Sequence, residues 1–109
     1  IQCEFYALEG LTQLIYTIEL IQKSLNPKLT IEGVVFTMYD ARTNLSLQVV
    51  ENVKSYLNQN IYKTIIPRNV RLAEAPSHGL PINLYDPSSV GAESYGFLAE
   101  EVIENGGME

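Results

Sequence analysis

The run Ile31-Glu32-Gly33-Val34-Val35-Phe36-Thr37-Met38 is too apolar at its centre for a strand with one wet face, so it predicts a strand buried on both sides. Such a strand demands helices above and below it, and the flanking sequence supplies them. Before it, Leu8, Leu11, Leu14, Ile15, Ile18, Ile21 and Leu25 recur at three- and four-residue steps, the stripe of one long helix that Asn26-Pro27 ends. After it, the polar stretch Tyr39 to Asn44 holds a strand-to-helix turn. Val49, Val50, Val53 and Leu57 then form a second helical stripe, with Thr43 or Asn44 as its N-cap. Ile61 to Ile66 reads as the next short strand, closed by Pro67, which has no N–H to give to a ladder. Asn69 to Ala75 predicts a short helix and Pro76 to Ser89 a loop. Tyr95, Leu98, Val102 and Ile103 mark a last helix, and 104–109 a frayed tail.

With a strand end at Cys3, the order is strand end, helix, strand, helix, strand, helices. That is the grammar of an α/β domain with a mainly parallel sheet. Three strands make half a sheet, and an isolated half exposes an apolar edge unless it pairs with other sequence or another copy. At 109 residues the chain is one small domain. No apolar run is long enough to cross a bilayer, which predicts a soluble protein. The start Ile1-Gln2-Cys3-Glu4 carries no targeting signal and reads as a fragment. The single cysteine excludes an internal disulfide and a thiolate metal site, and it suits a reducing cytoplasm.

A net charge of −6 would argue against nucleic acid if it were evenly spread. Between Arg42 and Arg71, however, five of the seven cations (Arg42, Lys54, Lys63, Arg68, Arg71) face a single acid, Glu51, a local balance of +4. The remainder sets Lys23 and Lys28 against twelve acids, a balance of −10. Such segregation permits a local anion-binding face, although a solvated surface with chance clustering would look the same.

Several chemistries are unsupported. Gly91-Ala92-Glu93-Ser94-Tyr95-Gly96 has the glycine spacing of a phosphate-binding loop, but Phe97-Leu98 stand where Lys and a hydroxyl residue are required. These small residues are better explained by close helix packing. His78 and Cys3 have no local support as a nucleophilic pair, and a loop histidine held by turn hydrogen bonds is the simpler reading. Ser77 lacks the sharp glycine-flanked turn that exposes a nucleophile. Asp40, at the carboxyl end of the buried strand, can orient Arg42 or a ligand, or stabilise the turn. No catalytic or metal-ligating residue is assigned.

The segments Thr37 to Asn44 and Ile66 to Gly79 both follow predicted parallel strands, and loops at such carboxyl ends line one crevice. Pro67 offers an apolar plate for a flat base and Asn69 an amide that donates and accepts, a combination that suits adenine. Arg42, Lys63, Arg68 and Arg71 can contact phosphates of a nucleotide or of a DNA backbone, and the residues alone leave that choice open.

Four runs in order resemble the ParA/Soj family of chromosome- and plasmid-partitioning ATPases, a branch of the deviant Walker A ATPases that includes MinD. They are Gln2-Cys3-Glu4-Phe5-Tyr6-Ala7-Leu8-Glu9-Gly10-Leu11, Met38-Tyr39-Asp40-Ala41-Arg42-Thr43-Asn44, the stretch Ile66-Pro67-Arg68-Asn69-Val70-Arg71 on to His78-Gly79, and Tyr85-Asp86-Pro87 to Gly91-Ala92. The resemblance implies the C-terminal half of a doubly wound P-loop NTPase-like domain, with all of 1–109 belonging to one ParA-type ATPase domain. It further implies a cytoplasmic, nucleoid-associated homodimer that uses ATP and Mg, binds nonspecific DNA and answers to a ParB-type partner, with no membrane. Pro67 and Asn69 would take the adenine side, and Arg42 and Arg71, with Arg68 behind them, the DNA. The phosphate-binding loop and switch carboxylates of that family are missing from this sequence, so the chain alone is expected to be inactive in hydrolysis.

Two other readings compete. A MinD-like membrane-associated ATPase would end in a basic amphipathic helix, whereas Glu100 to Glu109 is acidic and an anionic membrane would repel it. A non-catalytic oligomerisation module would pair its open sheet edges between copies.

Overall fold

The computed structural model describes residues 1–57 and 60–105. Strands β1 (Val34–Tyr39) and β2 (Ile61–Pro67) run parallel, joined by helix α2 (Asn44–Tyr56) in a βαβ crossover. On the other side of β1, Cys3 N–H donates to Thr37 O at 2.9 Å and Thr37 N–H to Ile1 O at 2.8 Å, so the expected strand end is present as a parallel bridge at Gln2. The α/β class with parallel pairing is therefore observed.

The buried strand begins later than its apolar run suggests. Gly33 lies against the ring of Tyr62, where a Cβ would fall 2.5 Å from Cε2. Val34 N–H then opens the ladder with Asn60 O at 2.8 Å. At the far end, Tyr39 and Pro67 extend the expected strands by one residue each. They pair with each other, and Arg68 N–H, the first donor beyond the proline, reaches Tyr39 O at 2.9 Å.

Helix α1 (Ala7–Ser24) and α2 cover one core. There Cys3, Leu11, Phe36, Val49, Val50 and Val53 are buried, with Ile61 and Ile65 of β2 packed against them. Thr43, rather than Asn44, caps α2, its side chain accepting from Ser46 N–H at 3.3 Å. The α1 stripe is wider than its cover, for Leu14 is 54% and Leu25 81% exposed. Tyr62 and Ile66 are buried outside that cluster, on the strand against which α5 (Val90–Glu104) packs. Helices thus cover both faces, as a buried parallel strand requires.

Helix α3 (Val70–Glu74) occupies the expected short helix, but the Pro76 to Ser89 region is more ordered than a loop. A 3₁₀ turn (Ala75–His78) and a one-turn helix α4 (Ile82–Tyr85) form there, because Pro76 is tolerated in a first helical turn and Gly79 supplies the left-handed φ of 65° that ends it. Of the expected frayed tail, Glu104 is still helical and Asn105 caps α5, while 106–109 lie outside the described residues. No helix among the described residues is long and apolar enough to cross a membrane.

Candidate nucleotide and anion site

The carboxyl ends of β1 and β2 meet at a cavity of about 470 Å³ whose lining includes Met38, Pro67, Arg68 and Asn69, with Gln2 and Tyr95 of α5 completing it. Register slips between Phe36 and Tyr39, where Met38 takes a left-handed φ of 53°. A side chain other than glycine held there stores on the order of 1–3 kcal/mol of strain, a cost concentrated at the mouth of this cavity.

Asn69 stands at the N-cap of α3, where an asparagine ordinarily accepts a backbone N–H with its side-chain oxygen. Here that bond is not made. Oδ1 of Asn69 is buried and has no hydrogen-bond partner, and Leu72 N–H is satisfied by the Asn69 main-chain oxygen at 3.1 Å instead. A buried acceptor left open costs about 1–3 kcal/mol unless a donor arrives.

Met38 and Arg68 also line a second, smaller cavity of about 280 Å³, together with Glu4, Asp40 and Arg42. Arg42 grips Asp40 at two points, Nε to Oδ1 and Nη2 to Oδ2, both at 2.9 Å, and its backbone N–H donates to Oδ1 at 3.0 Å. These donors hold the Asp40 carboxyl at a pKa of about 2. Asp40 therefore both orients Arg42 and stabilises the turn, the two roles left open by its position in the sequence. Arg68 approaches Glu4 more loosely, at 3.9 Å.

Arg71 belongs to a separate cluster on α3 and α4. It lies 3.3 Å from Glu74 and 3.3 Å from Asp86, and Tyr85 Oη donates to Glu74 at 2.6 Å. The Tyr85 hydroxyl, with the Arg71 charge, holds Glu74 below the usual carboxylate range. His78, expected to be held by turn hydrogen bonds, stacks on the Tyr85 ring, centroids 4.8 Å apart. The tertiary structure thus gathers Pro67, Asn69 and Arg68, links Arg68 to Arg42, and places Arg71 in its own network. Lys63 lies elsewhere on β2, beside Glu101 and Glu104 of α5.

Residues 4–82 match the model of the CobQ/CobB/MinD/ParA nucleotide-binding domain. This chain belongs to that family. It is 65% identical over 97% of its length to the sporulation initiation inhibitor protein Soj of Bacillus subtilis, covering 42% of that protein. Against the chromosome partitioning protein ParA of Myxococcus xanthus it is 52% identical over 95% of its length, covering 37% of that relative. For the chromosome-partitioning ATPase Soj of Thermus thermophilus the values are 48%, 94% and 41%. The chain spans about two fifths of the length of these relatives.

Within the MinD/ParA family frame, the glycine pair at Gly91 and Gly96 is helical. A Cβ at Gly91 would fall 2.5 Å from Leu72 Cγ, so this glycine lets α5 approach α3, while Gly96 meets nothing within 4 Å. Among the described residues no three His, Cys, Asp or Glu side chains come together to hold a metal. Cys3 is buried, and that burial pushes its thiol pKa up, as for an inert core thiol. Gln2, Met38 and Tyr95 line the cavity at the strand ends without having been singled out from the sequence for it. Tyr95 has the helical spacing of a core residue, and only the packing of α5 brings it to the crevice.

Proposed function

We propose that this chain supplies the adenine side of the nucleotide pocket, and a DNA-facing surface, of a ParA-type partitioning ATPase. The observation that carries the nucleotide reading is the open Asn69 Oδ1 beside Pro67. An adenine presents an amino donor on its edge and a flat apolar face, so one base satisfies the orphaned acceptor and packs on the proline ring. ATP and Mg serve the intact protein. The residues here fit the base, whereas phosphate and metal holders are expected from the family's phosphate-binding loop and switch carboxylates, so no hydrolytic step is derived from this chain.

Arg42, Arg71 and, behind them, Arg68 are the DNA-contacting candidates, each with an exposed guanidinium on a loop or helix start beyond a strand end. The relatives named for chromosome partitioning support a role in chromosome partitioning. Action on plasmid DNA, placement at the nucleoid, homodimerisation and regulation by a ParB-type partner are part of the same proposal and follow from the ParA/Soj resemblance alone. In the full-length protein, Asn69→Ala is expected to weaken ATP binding about tenfold, the effect of one lost hydrogen bond to a buried acceptor. Arg42→Glu with Arg71→Glu is expected to abolish DNA retention while ATP still binds. Unaltered ATP affinity in the first variant sinks the adenine role, and unaltered DNA retention in the second sinks the DNA face.

A second reading, an oligomerisation module, draws on the start of α1, where Phe5 and Tyr6 are 75% and 71% exposed beside an apolar cavity of about 460 Å³. Sedimentation of Phe5→Ser checks it. Self-association that survives the change removes this surface as its cause.

A further inference from the structure

Every arginine assigned to the DNA face already holds a carboxylate. Arg42 faces Asp40, Arg68 faces Glu4, and Arg71 faces both Glu74 and Asp86. Three guanidinium groups therefore meet four carboxylates, a local balance of −1. All four acids lie outside the 42–71 window whose sequence balance is +4. Folding brings them back onto the cations.

The manner of pairing matters as much as the count. A phosphate is best held by two parallel N–H groups along one edge of a guanidinium. In Arg42 that edge, Nε with Nη2, is the one occupied by Asp40. In Arg71, Nε lies on Asp86 and Nη1 on Glu74, so two of its edges are engaged by different carboxylates. The acids take the positions that a DNA phosphate would take.

We propose that Asp40, Glu74 and Asp86 are tethered competitors that throttle DNA binding, so that a phosphate must displace a carboxylate to engage Arg42 or Arg71. This rests on the DNA-facing reading above. The competition is soft, because exposed ion pairs are weak and Arg42 and Arg71 are 86% and 54% exposed. A single copy of the face therefore binds poorly, and several copies acting together overcome the acids by adding contacts on one duplex. The same arrangement penalises stray anions, which cannot add contacts in that way.

Amide isosteres remove the charge and one acceptor oxygen but keep the bonds that hold the turns. Asn at position 40 still accepts from Arg42 N–H, and Asn at position 86 still accepts from Ser88 Oγ. The test uses the full-length, ATP-loaded protein and a random-sequence DNA duplex over a salt series. Asp40→Asn and Asp86→Asn are each expected to tighten DNA binding about two- to fivefold at low salt, the release expected from one exposed pair. The salt dependence should steepen by up to about one counterion per substitution. Glu19→Gln, an exposed acid on α1, is the charge control and should change little. If Arg42→Glu abolishes binding but the two amide variants bind no tighter than the parent, the throttle is overturned while the DNA face stands. An equal gain from Glu19→Gln also overturns it, by reducing the effect to overall charge. If Arg42→Glu and Arg71→Glu leave binding intact, the DNA-facing reading fails and the throttle with it.

Discussion

Glu101 of α5 accepts two hydrogen bonds from Thr64 of β2, at 2.9 Å from the backbone N–H and 2.7 Å from the hydroxyl. With Lys63 N–H also donating at 2.6 Å, one carboxylate fills the place of a neighbouring strand along this edge. An open edge is a template for unwanted pairing, and a charged side chain laid along it blocks that growth. Glu101→Ala should therefore destabilise the protein and promote aggregation. Hydrogen exchange at Lys63 and Thr64 checks the mechanism: these two amides should lose protection before the β1–β2 ladder does.

Acid should act on the same contact and on the Asp40 turn. Burial pushes the Glu101 carboxyl up, but donation from Thr64 Oγ1 and from the Lys63 and Thr64 N–H groups overrides it and holds the pKa below its ordinary value. Asp40 is lowered from 3.8 to about 2, chiefly by the Arg42 side chain. A depressed carboxylate stabilises the fold above its unfolded pKa and loses that contribution as pH falls through the folded value. Stability should therefore decline as pH drops below the ordinary carboxylate range toward about 2, and Asp40→Asn should flatten the lower part of that decline in acid-unfolding curves.

Asn69→Leu separates stability from function. Removing a buried acceptor without a partner should leave thermal stability unchanged or raise it by about 1 kcal/mol, since its side chain caps nothing. ATP affinity should fall in the same variant. A fall in both would show that Asn69 also supports the fold.

The two helical glycines should respond with opposite signs. Gly96→Ala meets open space and should stabilise α5 by roughly 0.5–1 kcal/mol. Gly91→Ala drives a Cβ into Leu72, an overpacking cost of about 1–3 kcal/mol that exceeds the helix-propensity gain. Leu72 also lines the cavity proposed to take the adenine, so displaced packing should lower ATP affinity as well. Paired thermal melts and nucleotide titrations check both.

Capping gives a cleaner number. Thr43→Ala removes the acceptor for Ser46 N–H and should cost about 1 kcal/mol in chemical denaturation, with Thr43→Ser recovering most of it.

Much of this molecule is legible in its residues. The apolar run before Thr37, the α1 and α2 stripes and the punctuation by Pro67 and Gly79 determine buried parallel strands under helices, because periodicity and backbone restriction are local properties. The proposal that Pro67 and Asn69 bind a base draws on the same local reading, since they lie two residues apart at a strand end. The expected loop from Pro76 to Ser89 was not legible as a 3₁₀ turn and α4, since each is one turn long and is held by neighbours such as Tyr85 on Glu74.

Charge is where the sequence by itself stops. It determines that the cations cluster between Arg42 and Arg71, which is a fact about order along the chain. Only the tertiary structure decides what those cations face, because an ion pair depends on distance in space and not on separation in sequence. Glu4 and Asp86 lie 64 and 15 residues from the arginines they approach, and folding brings each within 4 Å. The same holds for Asn69, whose identity is read at once but whose side-chain oxygen is buried and unpaired only in the folded chain.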